Sequence, residues 1–137
     1  MRKENIMKKF LFVLCVVLSL ALSACGGGGA ASTTMEVTMS DFMFEPMDFT
    51  VAADQEITLT ITNNGAVEHE FVIMAAGQHA TAPFSEDDEP NIYWEVEVEP
   101  GKTETITFTA PPAGEYEVVC GIAGHYEAGM IGSLTSK

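Results

Sequence analysis

Positive charge is scarce in this chain: six Lys and Arg stand against twenty Asp and Glu in 137 residues. Four of the six, Arg2, Lys3, Lys8 and Lys9, crowd into the first nine positions. Beyond them, Lys102 and Lys137 face nineteen carboxylates, a net charge of −17. Such a surface repels nucleic acid and anionic lipid and steers a basic protein towards it. Histidine and cysteine number three each, at 69, 79 and 125 and at 15, 25 and 120, a spacing that excludes sites needing clustered histidines in one stretch or two cysteines in one loop. After residue 35 no stretch carries apolar residues at helical spacing for long enough to make a helix. Long apolar runs are also lacking, with one exception at residues 10–22.

That exception follows a basic head and is too short to span a membrane comfortably, so it reads as an export leader. It ends at Leu22-Ser23-Ala24-Cys25, which resembles the lipobox of bacterial lipoproteins. The resemblance implies cleavage after residue 24, a lipid on Cys25, and a protein anchored to the outer face of the cytoplasmic membrane. Residues 25–34 continue as Gly26-Gly-Gly-Gly29-Ala-Ala-Ser-Thr-Thr34, a tether with no side chain able to build a core. Residues 35–137 form one domain, and a chain of that length buries roughly two-thirds of its unfolded surface.

Within the domain, short alternating or β-branched runs predict strands at 35–39, 49–51, 56–62, 69–74, 93–98, 103–109, 114–120 and 130–135. Ile57, Leu59 and Ile61 alternate with threonines, as do Ile106 and Phe108. Tyr116, Val118 and Cys120 alternate with Glu115, Glu117 and Val119, which turns Cys120 inward. Turn residues fall between the runs, at Asn63-Asn64-Gly65, Pro100-Gly101 and Pro111-Pro112. The expected class is all-β, a sandwich of seven to eight strands. Residues 77–91, with His79 and the acidic run Glu86-Asp-Asp-Glu89, read as a surface excursion with a helical turn, either a docking patch or a solvated loop. Met35, Met39, Met43 and Met47 recur every four residues, but Pro46 and the Phe42-Met-Phe44 pattern favour a first strand and a bend. Tyr93 and Trp94 read as core or sheet-face aromatics.

The chemistry concentrates near the end. Cys120-Gly-Ile-Ala-Gly-His125-Tyr-Glu-Ala-Gly-Met130 places a thiol, an imidazole and a thioether at even spacing on one glycine-rich loop, and His69 supplies a second imidazole from another strand. A thiolate and two imidazoles in a plane, with a weak thioether on the axis, suit copper in both oxidation states. Zinc rarely takes methionine. Taken singly, His69 reads as a hydrogen-bonded strand histidine, Met130 as core packing and Cys120 as a buried apolar cysteine. Jointly they favour the metal. Cys120 is also the only thiol left in an exported domain, where an unpaired cysteine is unusual.

On these residues the chain resembles the cupredoxins, the type 1 blue copper proteins that include plastocyanin, azurin and auracyanin. Further support comes from Asn63-Asn-Gly…Glu68-His-Glu-Phe71, Pro112-Ala-Gly-Glu-Tyr116 and Asp41-Phe-Met-Phe-Glu-Pro46, the last similar to the first-strand motif of many bacterial members. The Cys-x4-His-x4-Met spacing is that of auracyanins. The resemblance implies a Greek-key β-sandwich holding one copper ion, with His69, Cys120 and His125 equatorial and Met130 axial. It also implies that His125 is the more exposed ligand, rimmed by Ile122, Ala123, Tyr126, Ala128 and Ile131. Glu70 stands where many members have Asn, and an ionised carboxylate there lowers the reduction potential. The azurin disulfide is absent.

The implied function is single-electron transfer, not catalysis. The expected donors are a quinol-oxidising complex or a cytochrome, and the expected acceptors a cytochrome, terminal oxidase or reaction centre. Copper delivery or storage for an oxidase is the alternative. Copper nitrite reductases and multicopper oxidases need more histidine than His69, His79 and His125 provide, and a binuclear copper centre needs a second loop cysteine.

Overall fold

In the computed structural model, which describes residues 30–137, nine strands form two facing sheets. In chain order they are β1 (Thr34–Ser40), β2 (Met43–Glu45), β3 (Asp48–Val51), β4 (Glu56–Asn63), β5 (His69–Met74), β6 (Ile92–Val98), β7 (Thr103–Thr109), β8 (Gly114–Val119) and β9 (Ile131–Ser136). One sheet runs β2-β1-β4-β7 and the other β3-β9-β8-β5-β6. The pairs β1 with β4 and β3 with β9 are parallel and the remaining neighbours antiparallel. The all-β sandwich is as expected, with one strand more than the sequence pattern predicts. That strand, β2, is only three residues long beside Pro46, and its inward Phe44 is the part of the Phe42-Met-Phe44 pattern that pairs with β1. The expected leader and Cys25 lie outside the described residues. Of the tether, Ser32 already bridges Val51 and Thr34 begins β1.

Alternation decides which side chains fill the space between the sheets. Ile57, Leu59 and Ile61 of β4 are fully buried, and opposite them Ile106 and Phe108 of β7 take the same face. Their outward threonines pair across the strands, with Thr62 and Thr103 hydroxyls 2.9 Å apart. From the other sheet Phe71 meets Phe44 and Phe49 edge-on, with ring centroids 5.4 and 5.5 Å away, a favoured aromatic geometry. Trp94 stacks on Phe108 at 4.4 Å where β6 and β7 face each other. Tyr93 points outward and donates its phenol to the Thr109 carbonyl.

The second sheet is covered on its outer face as well, which explains why Val72, Met74 and Val119 are buried despite pointing away from the sandwich. The excursion after β5 packs Ala80 and Phe84 over them and includes the short 3-10 helix Glu89–Asn91. Buried Asp88 holds this segment together, accepting from the Thr81 amide and hydroxyl and from the Ser85 amide. Tyr126 donates its phenol to the Ala80 carbonyl at 3.1 Å, which ties the excursion to the loop between β8 and β9. His79 is solvent-facing, as expected, beside Glu117.

Candidate metal centre

The candidate ligands come from two chain segments that meet at one end of the sandwich. Cys120 and Met130 lie just outside β8 and β9 rather than within them. The Cys120 amide donates to the Met130 carbonyl, and the Met130 amide to the His125 carbonyl. The loop between the two strands therefore folds back on its own backbone. Gly124 and Gly129 take φ of 86° and 94° there, a region that side chains other than glycine's resist. His69 opens β5, directly across the sheet from Val98.

Three donor atoms converge. His69 Nδ1 and His125 Nδ1 are 3.1 Å apart, and Cys120 Sγ lies 3.3 Å from His125 Nδ1 and 3.8 Å from His69 Nδ1. The point equidistant from the three is about 2.0 Å from each, the length of an ordinary bond from imidazole to a first-row metal ion. Met130 is fully buried in the same core cluster as Cys120. Two nitrogen lone pairs and a thiol sulfur facing one point, with a buried thioether on the same loop, fit copper by donor softness.

Their protonation suits a metal. Burial pushes the Cys120 thiol up, against the pull of the Glu70 and Ile122 amides, so without metal the sulfur keeps its proton and an ion must displace it. The Glu70 N–H points at the sulfur from 3.4 Å. Burial, and then the neighbouring His69, hold His125 below its ordinary value, which leaves it neutral and able to ligate. His125 is 7 % exposed and His69 wholly buried, the order the resemblance implies.

Two further groups were not legible as site residues. Asp41, 28 residues before His69, brings its Oδ1 within 3.0 Å of His69 Nε2 and also accepts the Ala66 N–H. That amide, foremost, holds the Asp41 carboxyl below its ordinary value, so the group is an acceptor only. The next residue, Phe42, sets its ring edge-on to His125 at 4.9 Å. The one sequence signal was the Asp41-Phe-Met-Phe motif, which marked a first strand and nothing more. Glu70 was singled out for its charge, and its carboxyl is pushed up to about 7, first by burial and then by Glu95 and Glu97.

The cupredoxin-like domain family model matches residues 10–131. The chain belongs to the cupredoxin family. Among relatives, it is 30 % identical to auracyanin-A of Chloroflexus aurantiacus over 85 % of this chain and 90 % of that protein. It is 31 % identical to the copper-resistant cuproprotein CopI of Pseudomonas aeruginosa over 77 % of this chain and 76 % of that one. The crystal structure of dithionite-reduced auracyanin from Roseiflexus castenholzii superimposes with a TM-score of 0.66 at 32 % identity, covering 79 % of this chain and 99 % of the other. As a cupredoxin of auracyanin type, the protein takes one type 1 copper ion.

Proposed function

We propose that the protein carries single electrons between redox complexes at the outer face of the cytoplasmic membrane, and that it is not an enzyme. His69, Cys120 and His125 are the equatorial copper ligands in this reading and Met130 the axial one. The observation that carries it is the donor triangle, already assembled at bonding distance by groups that pack around it. Copper supplies a one-electron change of charge. The protein's part is to keep the donors where both oxidation states accept them, so that little nuclear rearrangement accompanies transfer.

His125 is the exit, because it alone of the three reaches the surface, beneath Phe42 and next to the partly exposed Ile122. Beside it, Glu70, Glu86, Glu89, Glu95 and Glu97 line a groove of about 390 Å³ whose far wall is residues 121–123. This acidic margin favours a basic partner such as a cytochrome, by steering rather than by tight binding. A quinol-oxidising complex, terminal oxidase or reaction centre are the other partners the reading allows. Residues 1–24 serve as leader, Cys25 as lipid anchor and the residues from 26 up to the Ser32 bridge as tether, which confines the domain to the membrane surface and raises its encounter rate with partners there.

A Cu(II) titration of the soluble form beginning at Gly26 tests this. The expected result is an intense visible thiolate-to-copper band that saturates at one equivalent, is absent from Cys120→Ser, and bleaches and returns over reduction and oxidation. The kinship with copper-resistant cuproproteins favours a second reading, copper delivery or storage. Rapid loss of copper to a mild chelator would sink the electron-carrier proposal in favour of that one.

A further inference from the structure

Asp41 sits immediately after β1, in the turn to β2, and its carboxylate, partly open to solvent, meets the ligand-bearing segment that follows β4. That segment is tied to β1 independently of Asp41, through the Asn64 amide on the Met39 carbonyl at 2.8 Å. The two groups are therefore held in range by backbone as well as by their own contact. His69 Nε2 lies 3.0 Å from Asp41 Oδ1, and His69 Nδ1 is the atom that faces Cys120 and His125. A carboxylate can only accept, so Nε2 carries a proton, and in the neutral ring that leaves the Nδ1 lone pair for the metal point.

Gly65 shows that the chain accommodates this pair. A Cβ on Gly65 would stand against both Asp41 Oδ1 and His69 Nε2, too close for either to stay in place. Asn63 fixes the glycine there by accepting the Gly65 N–H at 2.8 Å and donating to the Val67 and Val98 carbonyls. A bare backbone thus frames the one hydrogen bond that the outer nitrogen of His69 makes.

We propose that Asp41 is a positioning residue for the copper site, fixing the tautomer and ring direction of His69 through a hydrogen bond that Gly65 leaves room for. The inference rests on the copper reading above. Its carboxylate also makes His69 a more basic ligand, which favours the oxidised ion.

The test uses three variants, each first checked for a wild-type urea midpoint in its metal-free form. Asp41→Asn keeps an acceptor and loses the charge, Asp41→Ala loses both, and Gly65→Ala displaces the pair while leaving its chemistry intact. In the metal-free wild type, NMR is expected to show the His69 Nε2 proton protected from exchange and far downfield. It should move upfield in Asp41→Asn and exchange away in Asp41→Ala and Gly65→Ala. Copper affinity should fall about tenfold or more in Asp41→Ala, the usual cost of losing such a partner, and the reduction potential should rise in Asp41→Asn and further in Asp41→Ala. Wild-type affinity and potential in all three variants would overturn the proposal and leave Asp41 as a tie to Ala66. Where Asp41→Ala fails to fold, Asp41→Asn still decides. If the wild type itself gives no thiolate band with Cu(II), the copper reading falls, while the Nε2 proton still reports whether Asp41 holds the ring.

Discussion

The two segments that build the candidate metal centre are made in opposite ways. The 120–130 segment brings Cys120, His125 and Met130 and is held mainly by its own backbone, with His125 bonded to Ile122, Ala128 to Gly124, Gly129 to Tyr126 and Met130 to His125. The 63–69 segment brings only His69 and is held by residues far away in sequence: Met39 and Asp41 from the β1 end, and Val98 from β6. One is a local motif, the other a product of the whole sandwich. The difference predicts that damage to the first stays confined to the site, whereas damage to the second reaches the fold.

The largest effect expected is on the two imidazoles themselves. His125→Gly opens a hole at the surface edge of the site, beneath Phe42, and added imidazole should restore the thiolate-to-copper band. His69→Gly opens a hole that is wholly enclosed and framed by Asp41 and Gly65, and added imidazole should restore little or nothing. Visible titrations of both variants with Cu(II), with and without imidazole, make the comparison. Equal rescue at the two positions would mean that the enclosure of His69 does not govern access.

Next in size is the cost of breaking each segment's scaffold. Asn63→Ala removes the donor to two carbonyls and the acceptor of the Gly65 amide, all at a fully buried position, and should destabilise the metal-free protein by about 3 kcal/mol. Gly129→Ala forces a side chain to φ of 94° at an exposed turn and should cost about 1–2 kcal/mol. Urea unfolding of the two variants checks the order. A larger loss from Gly129→Ala would reverse the account of which segment depends on the fold.

This asymmetry also sets what the sequence disclosed. Cys120, His125 and Met130 stand at fixed short spacing, and the alternation of Tyr116, Val118 and Cys120 already faced the sulfur inward, so the meeting of the Cys120 thiol with the His125 imidazole was readable from the local segment. The strands were legible for the same reason, because period-two patterning in β4, β7 and β8 is a short-range signal. Asp41 and Gly65 were not, since the contact between a carboxylate and an imidazole 28 residues on leaves no periodic trace. Nor was the burial of Val72 and Val119 on the outer face, which depends on how the 75–91 excursion lies over the sheet. Strand β2 escaped because three residues beside a proline look like a bend until β1 is there to pair with them.

The smallest effect concerns Glu70, which follows directly on the second segment in sequence but touches the first, since its amide faces Cys120 and its carboxylate packs against Gly121. Register places it directly across from Glu97, a like-charge pair that β-sheets ordinarily avoid. Burial, Glu95 and Glu97 raise its carboxyl to about 7 from 4.5. Below pH 4.5 it is protonated in the folded and unfolded chain alike. As the pH rises from there to 7, the unfolded chain releases its proton first, so the fold loses stability across that window, and above pH 7 the penalty is complete. Because the carboxyl is half exposed, solvent screens much of the repulsion, and the penalty is expected to be about 1 kcal/mol. Glu70→Gln should therefore stabilise the metal-free protein by about that amount at pH 8 and leave it unchanged near pH 4. Urea midpoints across this range check the slope, and a gap between variant and wild type that stays constant with pH would show that Glu70 acts through packing on Gly121 rather than through its charge.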